Sequence, residues 1–215
     1  MAHWRRQVAA ALVAACAWAW TQGVLLADRE RIAAPARVGN GSIAAGRAHT
    51  VVALPDGRVF AWGDGDRGQL GDGANVDRWS PTEVLNLPQA VMVSAGRAHT
   101  LALSATGDVY AWGANGSGRL GDGTRLQRSR PVRVHGLQQV VQIAAGGAHS
   151  MALTREGRVF AWGRNEEGQL GTGSRAAAME PVEVLGLPSI VAIAAGDVHS
   201  LAVSADGRVF AWGNN

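Results

Sequence analysis

From residue 43 onward, short apolar runs alternate with polar, glycine-containing breaks, and the whole pattern returns at a fixed spacing. One cycle shows it: VMVSAG at 91–96, HTLALS at 99–104, DVYAWG at 108–113 and PVRV at 131–134. Runs this short predict β-strands and are too short for helices. Ala105-Thr106-Gly107 separates the second and third runs, and Pro55-Asp56-Gly57, Arg155-Glu156-Gly157 and Ala205-Asp206-Gly207 are its counterparts. Such turns close antiparallel hairpins. Side chains alternate along a strand, so Val159 and Ala161 of VFAW share one face and Phe160 and Trp162 the other. Both faces are apolar, so both must be covered. A small antiparallel sheet covered on each side by its neighbour is a propeller blade.

The spacing supports this reading. AAGRAHT begins at Ala44, SAGRAHT at Ser94, AAGGAHS at Ala144 and AAGDVHS at Ala194, each fifty residues after the last. FAWG recurs at Phe60, Phe160 and Phe210, with YAWG at Tyr110. This is an internal repeat, dividing into 44–93, 94–143, 144–193 and a partial unit 194–215. The small residues Ala44, Ala45 and Gly46 suit the innermost strand, where blades crowd near the axis. A β-helix is disfavoured, because its short coils leave no place for a repeated hairpin.

The first 42 residues differ. MAHWRR is basic, and Gln7 to Ala27 contains no charged residue. That order predicts a secretory signal peptide, or an uncleaved membrane anchor, over 1–27 as an apolar helix. Residues 28–42, DRERIAAPARVGNGS, read as a linker. The expectation is an exported chain, secreted, periplasmic or anchored to the cell membrane, that meets a membrane through this segment alone.

Composition removes several chemistries. The 20 cationic side chains are all arginine, and 17 acids leave a net charge of +3. Without lysine there is no Schiff-base or phosphate-loop amine. Cys16 is the only cysteine, so neither an intrachain disulfide nor a cysteine zinc site can form. Gly63, Gly65 and Gly68 match the G-x-G-x-x-G spacing of a dinucleotide loop. The equivalent loops read GANGSG at 113–118 and GRNEEG at 163–168, so Gly65 is incidental, and no helix is predicted to follow.

A-A-G-x-x-H-[ST], then F-A-W-G, then G-[QR]-L-G-x-G, then Pro, at these intervals over residues 43–215, resembles the regulator of chromosome condensation repeat family. The resemblance implies an all-β, seven-bladed propeller. This sequence would then supply about three and a half blades of four antiparallel strands, half a ring. Two chains completing one ring, or a fragment of a longer gene, both remain open. Some members of that family are nucleotide exchange factors for a small GTPase, acting through an inserted wedge that this regular sequence lacks. Others bind chromatin, and a secreted bacterial relative inhibits a β-lactamase with its propeller loops.

The candidate chemistry is non-covalent. His49, His99, His149 and His199 recur in register, but blades stack on the order of 10 Å apart, too far to share an ion held at about 2 Å. They are expected to be structural, hydrogen-bonded next to the glycine turn. Trp62, Trp112, Trp162 and Trp212 are expected to pack between blades. Asp64, Asp66 and Asp72 match no calcium-loop spacing and read as solvated loop acids. No catalytic residue, metal or cofactor is expected.

The long loop after the third strand should share a face with the Gly46 turn. Its second half varies: ANVDRWS at 74–80, TRLQRSR at 124–130 and SRAAAME at 174–180. Trp79 lies outside the repeated framework, and Arg78, Arg97, Arg125, Arg128, Arg130 and Met179 should share its face. Trp and Arg are enriched at binding hot spots. The expectation is therefore a non-enzymatic scaffold that binds a protein through these loops, with self-association to complete a ring as a second partner mode. Nucleic acid is a weaker rival, resting on Arg119, Arg125, Arg128, Arg130 and Arg133. A carbohydrate-acting hydrolase would need paired carboxylates at the axis, which A-A-G does not supply.

Overall fold

The computed structural model describes residues 41–214. The apolar segment at 1–27 and all but the last two residues of the linker lie outside the described residues. Among the described residues every regular element is a strand, and no helix is long and apolar enough to cross a membrane.

The strands form four antiparallel sheets in chain order. The first holds β1 (Ser42–Ala45), β2 (His49–Ala53), β3 (Val59–Gly63) and β4 (Arg78–Glu83); the second β5 (Ala90–Ala95), β6 (His99–Ser104), β7 (Val109–Gly113) and β8 (Arg128–Arg133). The third holds β9 (Val140–Ala145), β10 (His149–Thr154), β11 (Val159–Gly163) and β12 (Ala178–Glu183). The fourth holds β13 (Ile190–Ala195), β14 (His199–Ser204) and β15 (Val209–Gly213). The propeller architecture expected from the repeat is therefore present, with three four-stranded blades and one described through three strands.

Each hairpin is set by its turn. Gly57 takes φ +85° and donates its amide to the Leu54 carbonyl at 2.9 Å, while Leu54 donates to Arg58 at 2.8 Å. This fixes the register Val51↔Ala61 and Val52↔Phe60. Period-two alternation then gives each sheet two apolar faces. In the second sheet, Leu101, Leu103, Val109 and Ala111 point forward, and Ala102, Tyr110 and Trp112 point back.

Those faces make the core. Val51, Ala53, Val59 and Ala61 of the first sheet close over Val93, Ala102 and Trp112 of the second, with Leu70 of the first long loop sealing the rim. The same arrangement joins the second sheet to the third and the third to the fourth. Trp112 and Trp162 are fully buried, as interblade packing requires.

The fourth strand of each of the first three blades begins earlier than its apolar run suggests. β8 starts at Arg128 rather than near Pro131, so Arg78–Ser80 and their counterparts are strand residues, not loop. The reason is pairing: Gly63 meets Arg78 and Gly113 meets Arg128 across a register shift. This shift consumes the extra residues before the proline.

Candidate interaction site

The two ends of the blades divide as their connections dictate. At one end the Gly46-Arg47-Ala48 turn meets the start of the long loop, Asp64 donating its amide to the Ala48 carbonyl at 2.8 Å. At the other end the Asp56-Gly57 hairpin meets the link to the next blade, Ala90 donating to Gly57 at 3.0 Å. The first is the loop face.

Beneath it runs a hydrogen-bonded clamp between blades. Thr100 Oγ1 donates to the Gln69 carbonyl at 2.8 Å, so it accepts from His49 Nε2, 3.0 Å away. The same carbonyl also accepts from Trp112 Nε1 at 2.9 Å. His99 with Ser150 and His149 with Ser200 repeat the pair at 3.0 Å, onto the carbonyls of Arg119 and Gln169. Each of these rings is thereby a neutral Nε2–H tautomer. Burial lowers His49 and His149 to about 4 and His99 further below its ordinary value.

Rather than bonding next to the glycine turn, as the sequence predicts, each of these histidines bonds through Nε2 to a hydroxyl of the following repeat. The Nδ1 side lies against the glycine turn, where a Cβ on Gly96 would come 2.2 Å from His99 Cε1. A proton-bearing Nε2 clamped onto a hydroxyl whose own proton is committed is no general base. The glycine of AAG is required by this close approach.

The long loop is held by a second device. Arg78 reaches back to Asp72 at 2.6 Å and Arg128 to Asp122 at 2.8 Å, and both carboxylates are buried. Burial opposes ionisation of Asp122, but bonds from Thr124, Arg128 and Asn115 outweigh it and hold the carboxyl below its usual range. Asp72 is therefore a loop staple rather than a solvated acid. Arg78 and Arg128, expected at the binding surface, are its cationic halves.

The remaining predicted residues scatter along the rim. Trp79 is 94% exposed on β4, in register with Ser129 on β8 and Met179 on β12. It is a framework position after all: a Cβ on Gly68 would touch Ser129 Cα, and one on Gly118 would touch Met179 Cα. Met179 is 42% exposed beside its preceding blade, whereas no described blade precedes Trp79. Arg125 is exposed in its loop, and Arg130 leans over Gly73 of the first blade.

Arg133 lies apart from the basic cluster, toward the opposite end. It pairs with Asp108, whose carboxyl is lowered first by Thr106 and then by Arg133. In the third blade Arg158 and Glu183 make the same pair with charges exchanged. The five arginines considered for nucleic acid therefore form no continuous stripe.

At the axis, the four AG turns surround an open depression of about 360 Å³. Its one lining carboxylate, Asp197, is taken by Arg97, which reaches across Gly147 from two repeats away. Among the described residues that line the depression there is no carboxylate pair. No cluster of three His, Cys, Asp or Glu side chains suited to a metal occurs among the described residues.

Beside this strap sits Arg119. Its repeat counterparts, Gln69 and Gln169, close a local turn by accepting the amides of Arg67 at 2.8 Å and Glu167 at 3.0 Å. Arg119 has no oxygen and forfeits that bond. Its Nη atoms lie 3.5 Å from the Gly147 carbonyl and 3.4 Å from Ser117 Oγ, and its Nε is buried without an acceptor. Burial first, then the charges of Arg164 and Arg97, loosens its hold on its proton. Among the described residues no carboxylate meets it. The sequence flagged Arg119 only within a basic run; the sharper signal was its replacement of glutamine.

Comparisons with known proteins bear on the whole arrangement. A family model described as the regulator of chromosome condensation (RCC1) repeat matches residues 56–103, 106–153 and 156–203. A second model of the same description matches 42–69, 91–119 and 140–169. The longer matched unit runs from one hairpin turn nearly to the next, so each straddles two blades. The human protein called regulator of chromosome condensation is 48% identical over 44 residues, which are 20% of this chain and 10% of that one.

Among solved structures, human WBSCR16 superposes with a TM-score of 0.72 at 31% identity, covering 80% of this chain and 48% of that one. The crystal structure of Kap60 bound to yeast RCC1 (Prp20) gives 0.70 at 28% identity, covering 80% and 43%. Prp20p from Saccharomyces cerevisiae, described with its binding to Gsp1p and histones, gives 0.69 at 28%, covering 80% and 44%. The chain spans less than half the length of these relatives.

Proposed function

Because this chain belongs to the regulator of chromosome condensation repeat family, we propose that it is a non-catalytic scaffold whose loop face binds an acidic surface of a partner protein. The observation that carries this is Arg119. A guanidinium held half-buried without a carboxylate costs stability, and it stands where the flanking repeats place a neutral glutamine whose oxygen closes the local turn. An incoming carboxylate replaces the long Nη bonds of 3.4 and 3.5 Å, beside Arg97 and Arg164, which are paired with Asp197 and Glu166. Planar guanidinium matches carboxylate in two-point contact. Kap60, Gsp1p and histones, named for the yeast relatives, support a protein partner. The buried histidines and hydroxyls bond to one another across blades, which supports the non-catalytic reading.

The rim residues Trp79, Arg125, Arg130 and Met179 extend the proposed surface. Their exposure supports this, and hot-spot chemistry favours Trp and Arg. Export belongs to the same proposal and rests on the N-terminal segment. Fusing residues 1–27 to alkaline phosphatase, active only after export, tests it: no activity refutes export.

The acidic-surface reading is tested by fluorescence anisotropy with a labelled oligoglutamate peptide. The chain binds it at low salt and releases it as salt rises. Arg119→Gln, which restores the residue of the flanking repeats, weakens binding at least about tenfold, as loss of one charge-assisted contact implies. Unchanged binding by that variant, or equal binding of oligoglutamine, refutes the reading.

A further inference from the structure

The three long loops open on the same turn, and their differences single out the second. They read GDGDRGQLG at 63–71, GANGSGRLG at 113–121 and GRNEEGQLG at 163–171. The first and third each set two acids against one arginine; the second has no acid, and its one charge is Arg119. Its backbone is nevertheless that of the others. Gly118 takes φ +79°, against +70° at Gly68 and +78° at Gly168, and donates to the Asn115 carbonyl at 2.9 Å as they do to Gly65 and Asn165. Blades on both sides of this loop are described, and Gly118 lies against Met179 of the next one. The loop therefore sits inside the stack, away from both ends of the described chain.

With the turn preserved, the missing glutamine leaves donors over. In the flanking loops the amides of Arg67 and Glu167 end on the Gln69 and Gln169 oxygens. The Ser117 amide shares that direction, and none of the described residues accepts it. Ser117 Oγ accepts from Arg119 Nη2 at 3.4 Å, and its own proton meets no acceptor among the described residues. Arg119 adds its Nη groups, held by long bonds alone. Arg97 and Arg164 stand near, each with its own carboxylate partner, so the positive charge of Arg119 is left unbalanced. Gly116, where the flanking loops place Asp66 and Glu166, is exposed, and a Cβ there would meet nothing within 4 Å. The approach is open, and the loop has no acid to repel an anion.

We propose that this loop is a phosphoryl site, taking the phosphomonoester of a phosphorylated serine or threonine on the partner protein. The inference rests on the loop-face reading and names the acidic group that reaches Arg119. Three donor positions lie together: the Ser117 amide, the Ser117 hydroxyl and the guanidinium edge. A phosphomonoester has three terminal oxygens to fill them, whereas a carboxylate or a phosphodiester has two. It also carries about −1.5 to −2 charges near neutral pH, and guanidinium meets it in two-point contact.

Fluorescence anisotropy on the 215-residue chain tests this with one labelled, otherwise uncharged peptide made with phosphoserine, glutamate or serine at its centre. The phosphoserine peptide binds at least about tenfold tighter than the glutamate peptide, and the serine peptide does not bind. Ser117→Ala cuts that preference at least about fivefold, as loss of one bond to a charged group implies. Arg119→Gln closes the loop on itself as in its neighbours, so this variant folds, and it weakens both charged peptides at least about tenfold. Equal binding of the phosphoserine and glutamate peptides, or an unchanged preference in Ser117→Ala, overturns the proposal, while oligoglutamate binding then still upholds the loop-face reading. Absence of all binding, oligoglutamate included, overturns both. Inorganic phosphate that displaces the phosphoserine peptide at equal concentration overturns the protein source, and so does a single-stranded oligonucleotide that binds as tightly.

Discussion

Lowering the pH from 7 to 4 should unfold this domain through its interblade histidines. His49 and His149 are depressed from 6.5 to about 4 in the folded chain. The sign is fixed by proton uptake: between these values the unfolded chain is protonated at both positions and the folded chain is not. Stability is therefore complete above about pH 6.5 and falls as pH drops toward 4. Each shift of about 2.5 units corresponds to roughly 3 kcal/mol, of which about 2 kcal/mol is already lost at pH 5. His99, shifted in the same direction, adds to this. The sum at pH 5 is comparable to the roughly 5–15 kcal/mol of a typical domain. Carboxylates such as Asp122 and Asp108 are lowered and titrate below the window. Urea unfolding at half-unit steps from pH 7.5 to 5 reads the effect. Stability constant within about 1 kcal/mol across that range would refute the buried neutral clamp.

Two substitutions isolate its parts. Thr100→Val keeps the shape but leaves His49 Nε2–H without an acceptor and removes one donor from the Gln69 carbonyl; urea unfolding should show a loss of roughly 1–3 kcal/mol, and Thr100→Ser should restore most of it. Gly96→Ala places a Cβ 2.3 Å from the Gly146 carbonyl and 2.2 Å from the His99 ring. It should lower the thermal midpoint sharply, while Gly116→Ala, at a site with nothing within 4 Å, should not.

The fold was legible because each repeat states its alternation twice. Val159 with Ala161 and Phe160 with Trp162 demanded cover on both faces, and only neighbouring blades provide that. Partners were harder. His49 recurs so regularly that its sequence cannot distinguish its own repeat's Thr50 from the next repeat's Thr100, and only stacking decides. Asp72 looked like a solvated acid because its staple depends on Arg78, six residues on; Asp122 with Arg128 repeats that spacing and was the available clue. Trp79 looked free because its counterparts Ser129 and Met179 share no chemistry with it, although they hold the same register on the fourth strand, where each rests against the blade before.

The central claim is that the framework spends its recurring residues on holding blades together and leaves binding to the loop face. Site-specific photo-cross-linking tests it most directly. A photoreactive residue at Ser117 on the loop face and another at Thr106 in the opposite hairpin turn are exposed in turn to an extract of the organism that makes the chain. The account predicts discrete protein adducts from position 117, competed by oligoglutamate, and none from 106. Adducts from 106, or from both alike, would contradict it.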